Sequence, residues 1–436
     1  MPPWKVIPYS TGVAPVNAAR ITATEIGPMP ITLRAFQSGH WPSLVGGWLH
    51  FEISFMVWLL IGALGVAISA DFGLTATEKG LLVAIPVLGG ALLRVGVGVC
   101  SDWYGPKSTG LALLGAEFLT LLWGWLGATS YVELLAVGLC LGVAGASFAV
   151  AIPLASRAYP PAHQGFAMGV AASANSGTVV VAFFAPRLAQ VVGWHAVFGL
   201  MTVPVLVTFL SYALMIPSGI GLVRQAARRE RWNASVDALR QPSMYSLCAA
   251  YAVTFGGFVG LSSFLPIFFH DQYGLDPVSA GTMTALCSLA GSLARPFGGY
   301  VADRLGGMRM LGVVFPAIAA LIVGAGQLPE LFPAAWLMGT AVAAMGFGNG
   351  VVFQVVSERF QDQIGMASGL IGAIGGLGGF LLPFSLGLLK DATGTYRSGF
   401  WLYAAVAILV WMAVALIMKR SHRTAEELVA SRRFSR

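Results

Sequence analysis

The chain alternates between long apolar stretches and short polar ones. The apolar stretches are about twenty residues long or more, and they lack the two-residue alternation of membrane barrel strands. A run of this length crosses a bilayer as a tilted helix. The predicted spans are 44–69, 78–101, 108–128, 131–157, 165–191, 194–217, 244–271, 277–302, 308–328, 332–357, 365–390 and 397–419. The pattern therefore predicts an all-α membrane protein with twelve transmembrane helices.

A basic stretch divides the spans into two groups of six. It contains five arginines: Arg224, Arg228, Arg229, Arg231 and Arg240. The predicted organisation is an N-terminal tail, a six-helix half, a basic linker, a second six-helix half and a basic C-terminal tail. These parts cover residues 1–43, 44–217, 218–243, 244–419 and 420–436. The first tail is rich in proline and has no early apolar run, so a secretory signal is not predicted.

Composition and charge agree with a membrane location. Hydrophobic residues make up 57% of the chain and charged residues 10%, whereas a soluble domain carries about 25% charged residues. With both termini on one side, 19 of the 25 Lys and Arg residues fall on that side and four on the other. The positive-inside rule then predicts cytoplasmic termini. The net charge of +7 reflects these basic loops, and no nucleic-acid partner is expected.

The two halves carry matching sequences. Arg94 and Arg295 each stand eight residues before an aspartate, and the two motifs are 201 residues apart. The segment 145–156 matches 346–357 at the same offset, and 165–170 matches 365–370 at an offset of 200. Because six spans per half is an even number, the halves have the same topology. They are parallel repeats, which place a substrate between the halves near mid-depth.

The repeated motif continues into a short charged loop in each half. The endings G-x-x-x-D-W-Y-G-P-K and G-x-x-x-D-R-L-G-G-x-R resemble the cytoplasmic loop motif of the major facilitator superfamily, where such turns gate alternating access. The first copy departs from the pattern with Trp103 in place of the usual arginine. The candidate gating residues are Asp102, Gly105, Asp303, Arg304 and Gly306.

Arg94 and Arg295 are the central candidates for function. Each lies two helical turns inside its aspartate, about 11–12 Å along the helix axis, which is too deep for easy snorkelling. A buried arginine needs a carboxylate partner, a wet cavity or an anionic ligand. Glu52 and Glu117 are the candidate carboxylates within spans. Two arginines at equivalent positions leave excess positive charge, which an anion could neutralise, and guanidinium groups hold planar oxyanions through paired hydrogen bonds.

Segment 11 carries glycines every three or four residues, which gives a flat helix face for close packing. The residues of this packing signature in segments 5 and 11 are Gly169, Gly177, Gly369, Gly372, Gly375, Gly376, Gly378 and Gly379. The glycine pattern is degraded in segment 5, where residues 171–174 occupy positions that are often glycine. Asn175 follows, and it could bond to another helix or reach a ligand. No metal-ligand or nucleotide-binding pattern occurs, and no cofactor is expected.

Several of these motifs resemble the nitrate/nitrite porter family of the major facilitator superfamily, over about residues 44–419. They are ALLR ending at Arg94, GASF ending at Phe148, YAVTFGGF from Tyr251, LARPFGG around Arg295 and GLIGAIGGLGGF in segment 11. The resemblance implies a clasp of Arg94 and Arg295 around nitrate or nitrite. It implies an aromatic lining of Phe148, Tyr251 and Phe255, and Asn175 as a further donor. It also implies a functional monomer in the inner membrane of a prokaryote.

The energy source is less constrained by the sequence. Exchange of nitrate for nitrite needs no titratable group, whereas proton coupling does. Glu52, within an apolar run of segment 1, is the candidate proton carrier, and static neutralisation of a buried arginine is its alternative role. Proton-coupled nitrate uptake is the favoured interpretation. Nitrate/nitrite antiport and transport of another small anion remain alternatives. An enzyme is disfavoured because the spans lack catalytic motifs, and a sensor because no cytoplasmic segment is long enough. A channel is disfavoured because it would not need two repeated halves.

Overall fold

The computed structural model describes residues 36–160, 163–220, 241–360 and 364–434. Within these ranges the chain forms twelve long helices, some with a local irregularity. They are α1 (Trp41–Phe72), α2 (Ala76–Tyr104), α3 (Pro106–Leu126), α4 (Tyr131–Arg157), α5 (Gln164–Val192), α6 (Trp194–Met215), α7 (Pro242–Tyr273), α8 (Pro277–Leu305), α9 (Gly307–Ala325), α10 (Leu331–Arg359), α11 (Ile364–Thr393) and α12 (Arg397–Phe434).

The predicted fold is confirmed, with six helices before the linker and six after it. Eleven of the helices in the described ranges are long and apolar enough to cross a membrane. The exception is α8, which carries many small polar residues together with Arg295. We call the side where α1 begins and α12 ends the termini face, and the side of the α1–α2 loop the distal face. Helix α12 continues through most of the predicted C-terminal tail.

Local chemistry fixes where the helices begin on the distal face. Thr75 and Glu78 form a reciprocal capping box at α2, and Ser130 and Glu133 form another at α4. Each pair satisfies backbone amides that the first helical turn leaves unbonded. At α8 the Asp276 carboxylate accepts from the amides of Val278 and Ser279, and hydrogen bonds from Ser279 hold the pKa of Asp276 below its ordinary value.

The two candidate gating loops turn at glycine for a backbone reason. Gly105 has φ of 88° and Gly306 has φ of 89°, in the region where a side chain is strained. Each glycine joins two helices with no further linker, α2 to α3 and α8 to α9. The glycines of the repeated motif are therefore required by the sharpness of these turns.

The interior of the bundle is aromatic and aliphatic. Helix α7 is buried along almost its whole length, and α1 and α4 are also largely enclosed. Large apolar side chains such as Leu126, Val191, Leu214 and Phe332 lie exposed on the outside. A soluble protein avoids such a surface, whereas a bilayer solvates it.

Helix α11 packs between two helices through its glycines. Gly372, Gly376 and Gly379 face α2 of the other half, where added β-carbons would meet Arg94, Ala91 and Val87. Gly375 and Gly378 face α7, where the neighbours are Tyr251 and the Ala252 carbonyl. Gly369 faces open space, and the packing role predicted for it is not observed in this conformation.

Helix α5, the counterpart of α11, is less regular. A 3₁₀ turn at Ala174–Ser176 interrupts it, next to the residues where the glycine pattern is degraded. Gly177 packs against the Glu52 carbonyl of α1, whereas Gly169 has open space beside it. Contact between α5 and α8 is less extensive than contact between α2 and α11. The degraded pattern therefore coincides with a looser interface.

Two parts of the predicted organisation lie largely outside the described residues. Most of the N-terminal tail (1–43) and most of the basic linker (218–243) fall there, as do the last two residues of the C-terminal tail. Their boundaries and their cytoplasmic placement stay predictions.

Candidate functional site

Arg94 is buried at the centre of the bundle, with 1% of its surface exposed. Its Nε and Nη2 donate to the carbonyl oxygen of Gly145 at 3.2 and 2.6 Å. Its Nη1 donates to the carbonyl oxygen of Gly372 at 2.6 Å. Gly145 belongs to the same half of the molecule and Gly372 to the other half. The guanidinium group therefore joins the two halves through backbone carbonyls.

The Gly145 carbonyl is free to accept because α4 is irregular there. In a regular helix this oxygen would accept from the amide of Ala149. Here the Ala149 amide donates to Ala146 instead, at 2.9 Å. The local break from Gly145 to Phe148 leaves one carbonyl of α4 without its helical partner. That carbonyl takes two of the hydrogen bonds of Arg94.

Arg295 occupies the matching position on α8 but has a different environment. It is 7% exposed, and its Nη1 has no hydrogen-bond acceptor among the described residues. Its guanidinium carbon lies 5.8 Å from the ring centre of Phe353. Neither Arg94 nor Arg295 has a carboxylate within ion-pair distance in the described ranges. The centre of the molecule therefore carries two cationic groups and no neutralising anion from those residues.

Aromatic rings enclose the two arginines. Tyr251 and Phe255 stack with ring centres 4.7 Å apart and an interplanar angle of 2°, and Tyr251 interacts with both guanidinium groups. Phe148 lies 5.7 Å and Phe255 lies 5.3 Å from the guanidinium carbon of Arg94. The structure thus brings together five of the six residues predicted to bind substrate. The faces of these rings attract the guanidinium groups and hold the cations and the rings in one cluster.

The sixth predicted residue, Asn175, lies in the 3₁₀ turn of α5. It is 1% exposed. With its amide oriented so that the nitrogen donates, it bonds to the carbonyl oxygens of Ala172 and Ser173 at 3.0 and 3.3 Å. In this conformation its donors are used by its own turn. A role in substrate binding stays a prediction.

Glu52 is buried and contacts α5 rather than either arginine. The Ser176 hydroxyl donates to its Oε2 at 2.8 Å. Glu117 is also buried and accepts from the Ser54 hydroxyl at 2.8 Å. The described partners of these carboxyl groups are therefore hydroxyl groups and, for Glu52, also the backbone of Gly177. This arrangement does not support the alternative in which Glu52 statically neutralises a buried arginine.

The two candidate gating loops are not equivalent. In the first half Asp102 forms an ion pair with Arg157 at the end of α4. In the second half the position equivalent to Arg157 is occupied by Glu358, and Asp303 has no ion pair among the described residues. Arg304 lies over the ring of Tyr300 instead, 4.3 Å from its centre. Among the described residues, an ion pair at the gating loop thus occurs in the first half only.

Sequence reasoning missed some members of the site. Phe353 contacts Phe148 and Tyr251, with ring centres 5.5 and 5.2 Å away. Trp58 lies 5.6 Å from the guanidinium carbon of Arg94, and its Nε1 donates to the Pro86 carbonyl at 2.7 Å. The matching segments 145–156 and 346–357 could have directed attention to Phe353, which lies within the second segment.

Comparison with known proteins agrees with this architecture. The model of the Major Facilitator Superfamily matches residues 48–383. Solved structures with the same fold include a D-xylose-proton symporter and an inward-facing, occupied bacterial homologue of the human lysosomal transporter Spinster. Their TM-scores are 0.66 and 0.65 at 16% and 18% identity; they cover 86% and 87% of this chain, and 96% of each of theirs.

Relatives found by sequence share a larger fraction of identical residues with this chain than those solved structures do. A probable nitrate/nitrite transporter NarK2 of Mycobacterium tuberculosis is 36% identical, covering 84% of this chain and 93% of the relative. A nitrite extrusion protein of Bacillus subtilis is 33% identical, with 84% and 92% covered. A probable nitrate/nitrite antiporter NarK1 of Thermus thermophilus is 31% identical, with 85% and 90% covered. The chain belongs to the nitrate/nitrite porter family of the major facilitator superfamily. It is a multi-pass membrane transporter and not an enzyme.

Proposed function

We propose that this protein carries nitrate and nitrite across the inner membrane of a prokaryote by alternating access, as a functional monomer with cytoplasmic termini. One observation carries the proposal: two buried arginines from equivalent positions of the two halves face aromatic rings and have no carboxylate partner in the described ranges. A small planar anion supplies the missing negative charge and fits between flat rings. The names of the relatives support the same substrates.

Transport of labelled nitrate into proteoliposomes tests this function. We expect uptake that excess unlabelled nitrate and nitrite inhibit and that succinate leaves unchanged. Inhibition by succinate, or the absence of uptake under every gradient, would contradict the proposal. Measuring uptake with a proton gradient alone, and then with internal nitrite alone, separates proton coupling from exchange.

Net uptake driven by protons is the coupling mode that we propose, with Glu52 as the proton-binding residue. Glu52 lies in α1 and accepts from Ser176 beside the irregular turn of α5. A carboxyl group at this junction can change its hydrogen bonding when α5 moves against α1. Exchange is the alternative, and the lack of a carboxylate on the two arginines among the described residues favours it.

The variant Glu52→Gln distinguishes the two modes. We expect it to keep nitrate/nitrite exchange and to lose the stimulation of uptake by an inward proton gradient. Glu117→Gln is the matched control, because Glu117 is also a buried carboxyl and bonds to Ser54 of α1, not to α5. Unchanged gradient-driven uptake by the Glu52 variant would leave exchange as the mode.

A further inference from the structure

The repeat places different chemistry at one pair of equivalent positions beside the arginines. With the offset of 201 that relates Arg94 to Arg295, Phe148 of α4 corresponds to Asn349 of α10. Phe148 lies 5.7 Å from the guanidinium carbon of Arg94. The first half thus presents an aromatic ring where the second half carries an amide.

Asn349 lies at the depth of Arg295. It precedes Gly350, where an added β-carbon would clash with the carbonyl oxygen of Arg295 and the amide nitrogen of Gly299, so α10 and α8 approach closely there. Phe353, one turn further along α10, contacts both Arg295 and Tyr251. Residues four apart share a helix face. Asn349 is therefore on the face of α10 that borders the anion site.

Several polar atoms on this side of the site have no hydrogen-bond partner within the described residues. Asn349 is fully buried, and neither its amide nitrogen nor its amide oxygen makes a hydrogen bond. Nη1 of Arg295 also makes no hydrogen bond, and neither does Oγ of Ser292, which lies one turn before Arg295 on α8. Buried polar groups are normally paired, and leaving them unpaired is costly. Arg94, by contrast, has all three of its nitrogens bonded to carbonyls.

We propose that Asn349 determines specificity by donating a hydrogen bond from its amide nitrogen to an anion held by Arg295. The inference rests on the proposed function and deepens it. Nitrate has three oxygens in one plane, whereas nitrite has two oxygens and a lone pair on nitrogen. The guanidinium groups bind two edges of the anion, and the amide of Asn349 binds the oxygen that nitrite lacks. Asn349 thus favours nitrate over nitrite.

The variant Asn349→Ala tests the assignment in proteoliposomes that exchange labelled anion. We expect the KM for nitrate to rise about tenfold, the effect of one hydrogen bond to a charged partner, and the KM for nitrite to change less than about twofold. Thr254→Val is the control: Thr254 is a buried hydroxyl of α7 beside Gly348 that bonds within its own helix. This control should leave the ratio of the two KM values unchanged.

A second measurement separates misfolding from lost specificity. Nitrate and nitrite should each raise the unfolding temperature of the detergent-purified protein, and Asn349→Ala should reduce the nitrate effect selectively. Asn349→Ser, which is too short to reach the anion, should behave in the same way. Equal changes for both anions, or none, would overturn the role of Asn349 alone. A wild-type protein that responds to neither anion would overturn the proposed function as well.

Discussion

At the scale of single residues, the two arginines occupy equivalent places and have unequal partners. Arg94 uses all its nitrogens on the carbonyls of Gly145 and Gly372, whereas one Arg295 nitrogen has no acceptor in the described structure. Backbone carbonyls can accept from a cation without forming a neutral ion pair, so they hold Arg94 in place and leave its charge available. This is the electrostatic condition that an anion carrier requires.

Replacing Arg94 by lysine tests the importance of this geometry. A single ammonium group cannot reproduce the planar set of bonds to Gly145 and Gly372. Hydrogen bonds of charged groups contribute about 1.5–3 kcal/mol each, so losing one should weaken nitrate binding about ten- to hundredfold. The measurement is the KM for nitrate in proteoliposomes. Arg397→Lys, at the edge of the bundle, should behave like wild type, and a normal KM for Arg94→Lys would refute the clasp.

The sequence could predict the arginines and much of their aromatic surroundings. Arg94 and Arg295 follow from the repeat, and the resemblance indicated Phe148, Tyr251 and Phe255. The acceptor role of the Gly145 carbonyl could not be predicted, because it depends on one backbone hydrogen bond at the break in α4. Asn175 shows the opposite case: its residue type indicated a donor, but the local turn takes up that donor.

At the scale of helices, the glycine spacing on α11 allows this helix to pack closely against two neighbouring helices. Alternate glycines face α2 of the other half and α7 of the same half. Removing side chains from both faces lets α11 lie between α2 and α7 and places the Gly372 carbonyl on Arg94. The sequence predicted the flat face but not that α11 would be flat on two sides, since the neighbours are set by tertiary packing.

Two alanine substitutions on α11 separate packing from helix propensity. In Gly378→Ala the new methyl group would collide with the carbonyl oxygen of Ala252, and overpacking of this kind costs about 1–3 kcal/mol. In Gly369→Ala the methyl group meets open space, and alanine favours a helix over glycine by about 0.5–1 kcal/mol. We expect a lower unfolding temperature in detergent for the first variant only. Equal effects of the two substitutions would contradict the two-sided packing.

At the scale of the whole molecule, the halves are tied together at the distal face. Lys79 of α2 pairs with Asp271 of α7 at 2.8 Å. Thr77 donates to Asp391 of α11 from its amide at 2.7 Å and its hydroxyl at 2.6 Å. Arg187 of α5 donates to Thr282 of α8 at 2.8 Å. Each link joins one half to the other, so the described structure is closed on this side.

Alternating access requires these links to break in every cycle. In a background with the four native cysteines replaced by alanine, a disulfide or short crosslink between Lys79→Cys and Asp271→Cys should stop nitrate transport, and its cleavage should restore transport. The matched pair is Glu78→Cys and Tyr131→Cys, which meet on the same face within one half. Crosslinking that pair should have little effect. Full activity of the first crosslinked protein would exclude opening at the distal face.

The bond from Arg94 to the Gly372 carbonyl bears on how the carrier returns after releasing its cargo. A carrier that could close only around an anion would be limited to one-for-one exchange, because its unloaded form would stay open. Here the carbonyl of Gly372, in the opposite half, accepts directly from the cation. A backbone carbonyl can thus link the cation to the opposite half without an anion, and we expect the protein to be able to return empty. We expect this return of the empty carrier to occur at a measurable rate. Net accumulation of the anion depends on that rate.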